Sequence, residues 1–218
     1  MPAANPSDDP LGQVPFPPAS ATEVLTQPRW AYLLFEFNIT EHELGERDGA
    51  NPFLVPGITA DELAGHVEID PTVLRADLQA LADLGVLRQD DDLSGDAPSD
   101  TPTYQSQGYQ LFPDDPIDLP DGGTTGHLPP QVFGAVGYGY HDAAVPRFLH
   151  QYSYDQFVTA VRVFHKIMRE ESVERTLEQW FPDVSDGDVT SIRPALKYAY
   201  GRLSDDPVWG WEYPVEPP

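Results

Sequence analysis

The chain contains no cysteine, which excludes a disulfide framework, a thiolate nucleophile and a cysteine-ligated zinc. Lysine is nearly missing, with Lys166 and Lys197 the only two. No apolar run approaches the roughly 20 residues that a membrane-spanning helix needs. The opening residues lack the basic and apolar stretches of a secretory leader, so the expected location is the cytoplasm or a virion assembled there. The histidines (His42, His66, His127, His141, His150 and His165) follow no metal-ligand spacing, and no glycine loop has the pattern that cradles phosphate. Glu41-His42-Glu43 has no second histidine at helical spacing and reads as a solvated loop. His141, Asp142 and Ser153 are a chance grouping of common residue types rather than a hydrolytic set. No enzyme, cofactor or metal is expected.

What the chain has in abundance is acid. Its 36 acidic residues face 12 basic ones, a formal net charge of −24. The imbalance is local: residues 1–146 hold 24 acids and 4 bases, whereas residues 147–202 hold 8 of each. Disordered acidic chains lack aromatics, and this one has 4 Trp, 10 Tyr and 10 Phe, so it folds. Its 218 residues allow one large or two small domains. An acidic, lysine-poor, aromatic-rich composition resembles that of halophilic archaeal proteins, whose surface acids hold water in molar salt. At that salt the Debye length is about 3 Å, so net charge alone does not exclude DNA.

Six prolines between positions 2 and 18 make residues 1–19 an extended tail. Pro28 opens a first helix, with Trp30, Leu33, Leu34 and Phe37 on one face. Asn38 to Gly57 reads as a polar, turn-rich insertion. Thr59 and Glu62 have capping-box spacing, and Ile58 and Leu63 are placed as a hydrophobic staple. After the turn Glu68-Ile69-Asp70, Asp70 caps a third helix and Pro71 opens it. Leu74, Leu78 and Leu81 share its inner face. Gly85 stops it. Val86-Leu87-Arg88 begins a strand, and Tyr104 to Phe112 returns as a second. Phe133 to His141, FGAVGYGYH, reads as a flexible connector or an edge hairpin, with a ligand-stacking loop as the alternative. A helix is expected from Tyr154 to Phe181, and another from Ile192 to Leu203 with Arg193, Lys197 and Arg202. Residues 206–218 form an aromatic, proline-rich tail. Its Trp209, Trp211 and Tyr213 either fold back on the core or dock a partner.

Residues 28–112, and above all Ile58–Arg88 (ITADELAGHVEIDPTVLRADLQALADLGVLR), resemble the winged helix-turn-helix domains of archaeal and bacterial transcriptional regulators of the ArsR or MarR type. The resemblance implies an α+β, mainly α protein: a winged helix domain over 20–120, then a helical dimerisation or docking domain over 130–205. It puts the third helix in the major groove, with Thr72, Val73, Arg75, Ala76 and Gln79 outward. Arg75 would read guanine and Gln79 adenine. The wing departs from the family pattern, with five aspartates and no base between Gln89 and Thr103. Phosphate contacts would then fall to Arg162, Lys166 and Arg169, a stripe at i, i+4 and i+7. The same stripe in a core or dimer helix would pair with Glu170, Glu171, Glu174 and Glu178. The leading expectation is a homodimeric regulator of a halophilic archaeon or its virus, bound to double-stranded DNA. The alternative is a non-enzymatic protein-interaction module, an assembly or maturation factor or a virion component, because many winged helices bind protein.

Overall fold

Two helices, α1 (Pro18–Thr26) and α2 (Pro28–Arg47), lead into strand β1 (Ile58–Thr59) and the short helix α3 (Ala60–Leu63). Helix α4 (Pro71–Asp83) follows, then strands β2 (Leu87–Asp90), β3 (Thr103–Ser106), β4 (Ile117–Asp118) and β5 (Thr124–Thr125). The chain continues through α5 (Pro130–Tyr138), α6 (Ala144–Gln151), α7 (Tyr154–Arg162) and α8 (Asp186–Ser204). The computed structural model describes residues 18–47, 57–90, 101–106, 117–125, 128, 130–164 and 180–204. The fold is α+β and mainly α. Among the described residues no helix is long and apolar enough to cross a membrane.

The first three strands form an antiparallel sheet in the order β1-β3-β2. Ile58 stands opposite Tyr104, and Leu87 opposite Ser106. Strands β4 and β5 form a separate hairpin that closes through Gly122, whose φ of 85° suits glycine. The local signals at α3 and α4 act as the sequence suggests. Thr59 and Glu62 form both halves of a capping box, and Asp70 caps α4 with Pro71 at its opening. Gly85, at φ 73°, turns the chain out of α4 into β2. Residues 107–112 of the expected second strand lie outside the described residues.

Helix α2 is the centre of the molecule. Every residue from Ala31 to Phe37 is buried. The helix runs on through Arg47, where a turn-rich insertion from Asn38 was expected. Its polar residues there are satisfied within the fold. Asn38 Nδ2 donates to the Leu34 carbonyl at 2.7 Å. Glu41 is buried and accepts from the Ser106 backbone N–H at 3.0 Å and from the Ser106 hydroxyl, so it is no part of a solvated loop. The His42 side chain lies outside the described residues. Helix α1 starts at Pro18, beside the expected tail, and buries Ala21, Val24 and Leu25.

The segment expected as a connector, hairpin or stacking loop is helix α5, buried from Pro130 to Gly137. Two of its glycines are needed for space. A Cβ on Gly137 would sit 2.5 Å from the Tyr32 Cα, and one on Gly134 would sit 2.6 Å from the Phe35 ring. These pairings also set the direction: α5 rises as α2 falls, so the helices are antiparallel. Helix α8 packs on α5 and α6 and buries Val189, Ile192, Ala195, Leu196 and Ala199 there. One continuous buried cluster runs from α1 to α8 and joins the two expected domains.

Helix α7 ends at Arg162, with Val163 as its C-cap, so the single helix expected from Tyr154 to Phe181 is interrupted there. Its start is held twice. The Tyr154 N–H donates to Asp121 Oδ2 at 2.8 Å, and the Tyr154 hydroxyl donates to the Leu25 carbonyl at 2.8 Å. Burial, and then the Asp121 charge, push this phenol from its ordinary 10.0 up to about 12.

Two predictions follow from this packing. Gly137→Ala should destabilise by about 1–3 kcal/mol in thermal unfolding, because the new methyl meets backbone that cannot step aside. Gly201→Ala, with nothing within 4 Å of the added Cβ in α8, should stabilise by about 0.5–1 kcal/mol. Equal effects of the two would contradict the close crossing. For Tyr154, a raised folded-state pKa means stability present below pH 10.0 and lost as pH climbs toward about 12. Tyr154→Phe should cost about 1 kcal/mol near neutrality and unfold less steeply across that alkaline window.

Candidate interaction face on helix α4

Helix α4 is fixed at both ends and along its inner face. Asp70 Oδ1 accepts from the N–H groups of Thr72 (2.9 Å) and Val73 (3.3 Å). The Val86 N–H returns to the Leu81 carbonyl at 2.8 Å, which seals the other end. Leu74, Leu78 and Leu81 are buried without residual exposure. Asp77 is buried among them. A buried carboxylate needs donors, and α2 supplies three. Arg29 donates through Nε at 2.6 Å and a terminal nitrogen at 2.9 Å, and the Trp30 indole N–H donates at 2.9 Å. The hydrogen bond to Asp77 raises the Arg29 pKa against the opposing effect of burial.

The outward residues are where helical phase places them. Thr72, Val73, Arg75, Ala76 and Gln79 are all exposed on one face. Two of the polar ones, Arg75 and Gln79, already have partners. Arg75 holds Asp61 of α3 at 2.6 Å, and Gln79 Nε2 donates to Asp83 at 2.9 Å. Five exposed acids surround this face: Asp61, Glu62, Glu68, Asp70 and Asp83. The wing residues 91–100 lie outside the described residues.

The bases assigned to phosphate contacts in the second half are only partly described. Arg162 is half-buried on α7, where an outward phosphate contact was expected. Burial lowers its pKa, and Asp155 opposes the shift. Lys166 and Arg169 lie outside the described residues, as do Trp209, Trp211 and Tyr213. Arg202 is committed to the buried Glu36, with contacts of 2.8 and 3.2 Å, and the Tyr198 hydroxyl donates to the same carboxylate. His141, Asp142 and Ser153 have local roles. The His141 ring packs edge-on against Tyr32, Asp142 accepts from the Ala144 N–H at 2.8 Å, and Ser153 caps α7.

One surface residue comes from the FGAVGYGYH segment. Tyr140 is 41% exposed and stacks on Tyr32 with ring centroids 5.9 Å apart. The Tyr32 hydroxyl in turn lies 3.5 Å from the Glu68 N–H, in the turn before α4. Asp77 was readable: it sits three residues after Leu74 and four before Leu81, on the inner face, and so required a donor.

Comparison with family models, curated proteins and solved structures finds no match to this chain.

The two ion pairs on α4 differ in burial and should differ in worth. Asp77→Ala strands Arg29 and Trp30 and should cost about 2–3 kcal/mol, a figure reduced from the fully buried case because Arg29 is 40% exposed. Arg75→Ala breaks a pair exposed at 56% and 69% and should cost less than about 1 kcal/mol. Denaturant unfolding of both variants checks the contrast.

Proposed function

We propose that this chain is a non-enzymatic protein-interaction module, in which residues 28–106 form a winged helix unit and α4 is a docking element. The element order from α2 to β3 and the sheet order β1-β3-β2 support the winged helix reading. The observation that carries the docking reading is Arg75. It is the one base on the outward face of α4, it is already paired with Asp61, and exposed acids surround it. Duplex affinity comes mainly from phosphate contacts made by Lys and Arg. Molar salt would screen the repulsion of phosphate by these acids, but it would not supply the missing donors.

The second reading, a DNA-binding regulator of the ArsR or MarR type, keeps one specific observation in its favour. Thr72, Arg75, Ala76 and Gln79 are exposed together on a helix that follows a tight turn, the placement used for base contacts. Binding separates the two. A photo-crosslinking residue at Ala76, irradiated in the source cells, should yield a protein adduct. The purified chain should shift neither random nor genomic duplexes, in dilute or molar KCl. A sequence-selective shift abolished by Arg75→Ala would overturn the docking reading.

A further inference from the structure

We propose that the surface running from Val73 across the α3–α4 turn to Tyr140 is a docking site for an arginine-rich polypeptide segment that carries aliphatic residues. This inference rests on the protein-interaction reading and gives that reading a partner chemistry. Val73 (36%) and Tyr140 (41%) are the large apolar side chains exposed among the described residues. They belong to different halves of the chain, yet they flank the same turn. Tyr140 stacks on Tyr32, the Tyr32 hydroxyl faces the Glu68 N–H, and the Val73 N–H is held by Asp70 two residues further on. Arg29 is fixed on Asp77, one helical turn beyond Val73.

Tyr140 is suited to be an anchor. Its backbone N–H returns to the Gly137 carbonyl at 2.9 Å, and its ring is held between Tyr32 and His141, whose centroid lies 4.9 Å away. A ring already fixed in place loses little freedom on binding. The charge around it selects the occupant. Glu62, Glu68 and Asp70 are exposed beside the two apolar groups, while Asp61 is paired with Arg75 and Asp77 with Arg29. At physiological ionic strength these acids disfavour a second copy of a chain with net charge −24, and equally a phosphate backbone. Residues 205–218 carry Asp205, Asp206, Glu212 and Glu216 without a base, so the chain's own end has the wrong sign to cover the patch. Among basic segments arginine fits better than lysine. Its planar group stacks on an aromatic face and grips a carboxylate with two N–H groups at once.

The test uses the full chain and a short fluorescein-labelled peptide of alternating arginine and leucine, read by anisotropy in physiological and molar KCl. Peptides of alternating arginine and serine, and of glutamate and leucine, serve as controls. The arginine–leucine peptide should bind tightest. Val73→Ser and Tyr140→Ser should each weaken it by about fivefold or more, with unchanged circular dichroism. Tyr140→Phe should retain binding. Glu68→Gln should weaken it, and Asp183→Asn, on the turn before α8, should not. Equal affinity for the arginine–serine peptide, or indifference to Val73→Ser and Tyr140→Ser, would overturn the proposal. A protein adduct at position 76 without peptide binding would keep the docking function and discard this surface. A DNA adduct would discard both.

Discussion

The contact on which the rest of the structure depends is the antiparallel crossing of α2 and α5, where Gly137 lies against the Tyr32 backbone and Gly134 against the Phe35 ring. Two helices approach this closely only where one of them has no Cβ. That closeness fixes the rotation of α2 about its own axis, and the rotation decides where each polar group of α2 is aimed. Arg29 and Trp30 face α4, Glu36 faces α8, and Glu41 faces β3. A helix buried on all sides needs partners in every direction, and α2 finds them in elements from both halves of the chain. The sheet, α4 and α8 are thereby referred to one axis.

The same arrangement bears on the unusual charge. Glu36, Glu41 and Asp77 are carboxylates buried against a medium that disfavours their charge, and each needs donors. Arg29 and Arg202 are committed to two of them, from a chain with only 12 bases. Breaking such a pair leaves an uncompensated charge, so the pairs specify geometry more than they add net stability. Ionic bonds that position α2 are obtained at the expense of bases that could otherwise face a polyanion.

Local signals were legible in the sequence because they are local. Thr59 with Glu62, Asp70 with Pro71, and Gly85 each act within a few residues, and each acts as written. The second half of α2 was not legible. Its polar residues look like loop, and the partner that makes a helix acceptable at Glu41 lies 65 residues away. Helix α5 failed for the opposite reason. Buried on every face, it has no polar stripe to reveal a helical period, and its glycines read as flexibility when they mark close approach. Arg162 ends helix α7 and is half-buried, which its spacing from Lys166 and Arg169 did not convey. On α4 the exposed face followed from helical phase, whereas its electrostatic character did not. The pairing of Arg75 with Asp61 depends on how α3 crosses α4, which no spacing encodes.

Rigidity at the α3–α4 turn follows from these facts and shapes what the surface can do. Tyr32 belongs to the buried stretch of α2, so its ring cannot turn without disturbing the crossing with α5. Tyr140 leans on one side of that ring, and the turn at Glu68 meets its hydroxyl. Burial holds the Tyr32 pKa above its ordinary value. The N-terminal end of α4 and the end of α5 are therefore positioned by a single side chain. A base-reading helix needs long side chains free to reach into a groove, and here Arg75 and Gln79 are drawn back along the surface by Asp61 and Asp83. Val73 and Tyr140 are the exposed large apolar side chains among the described residues, and Tyr140 is held by Tyr32 and His141.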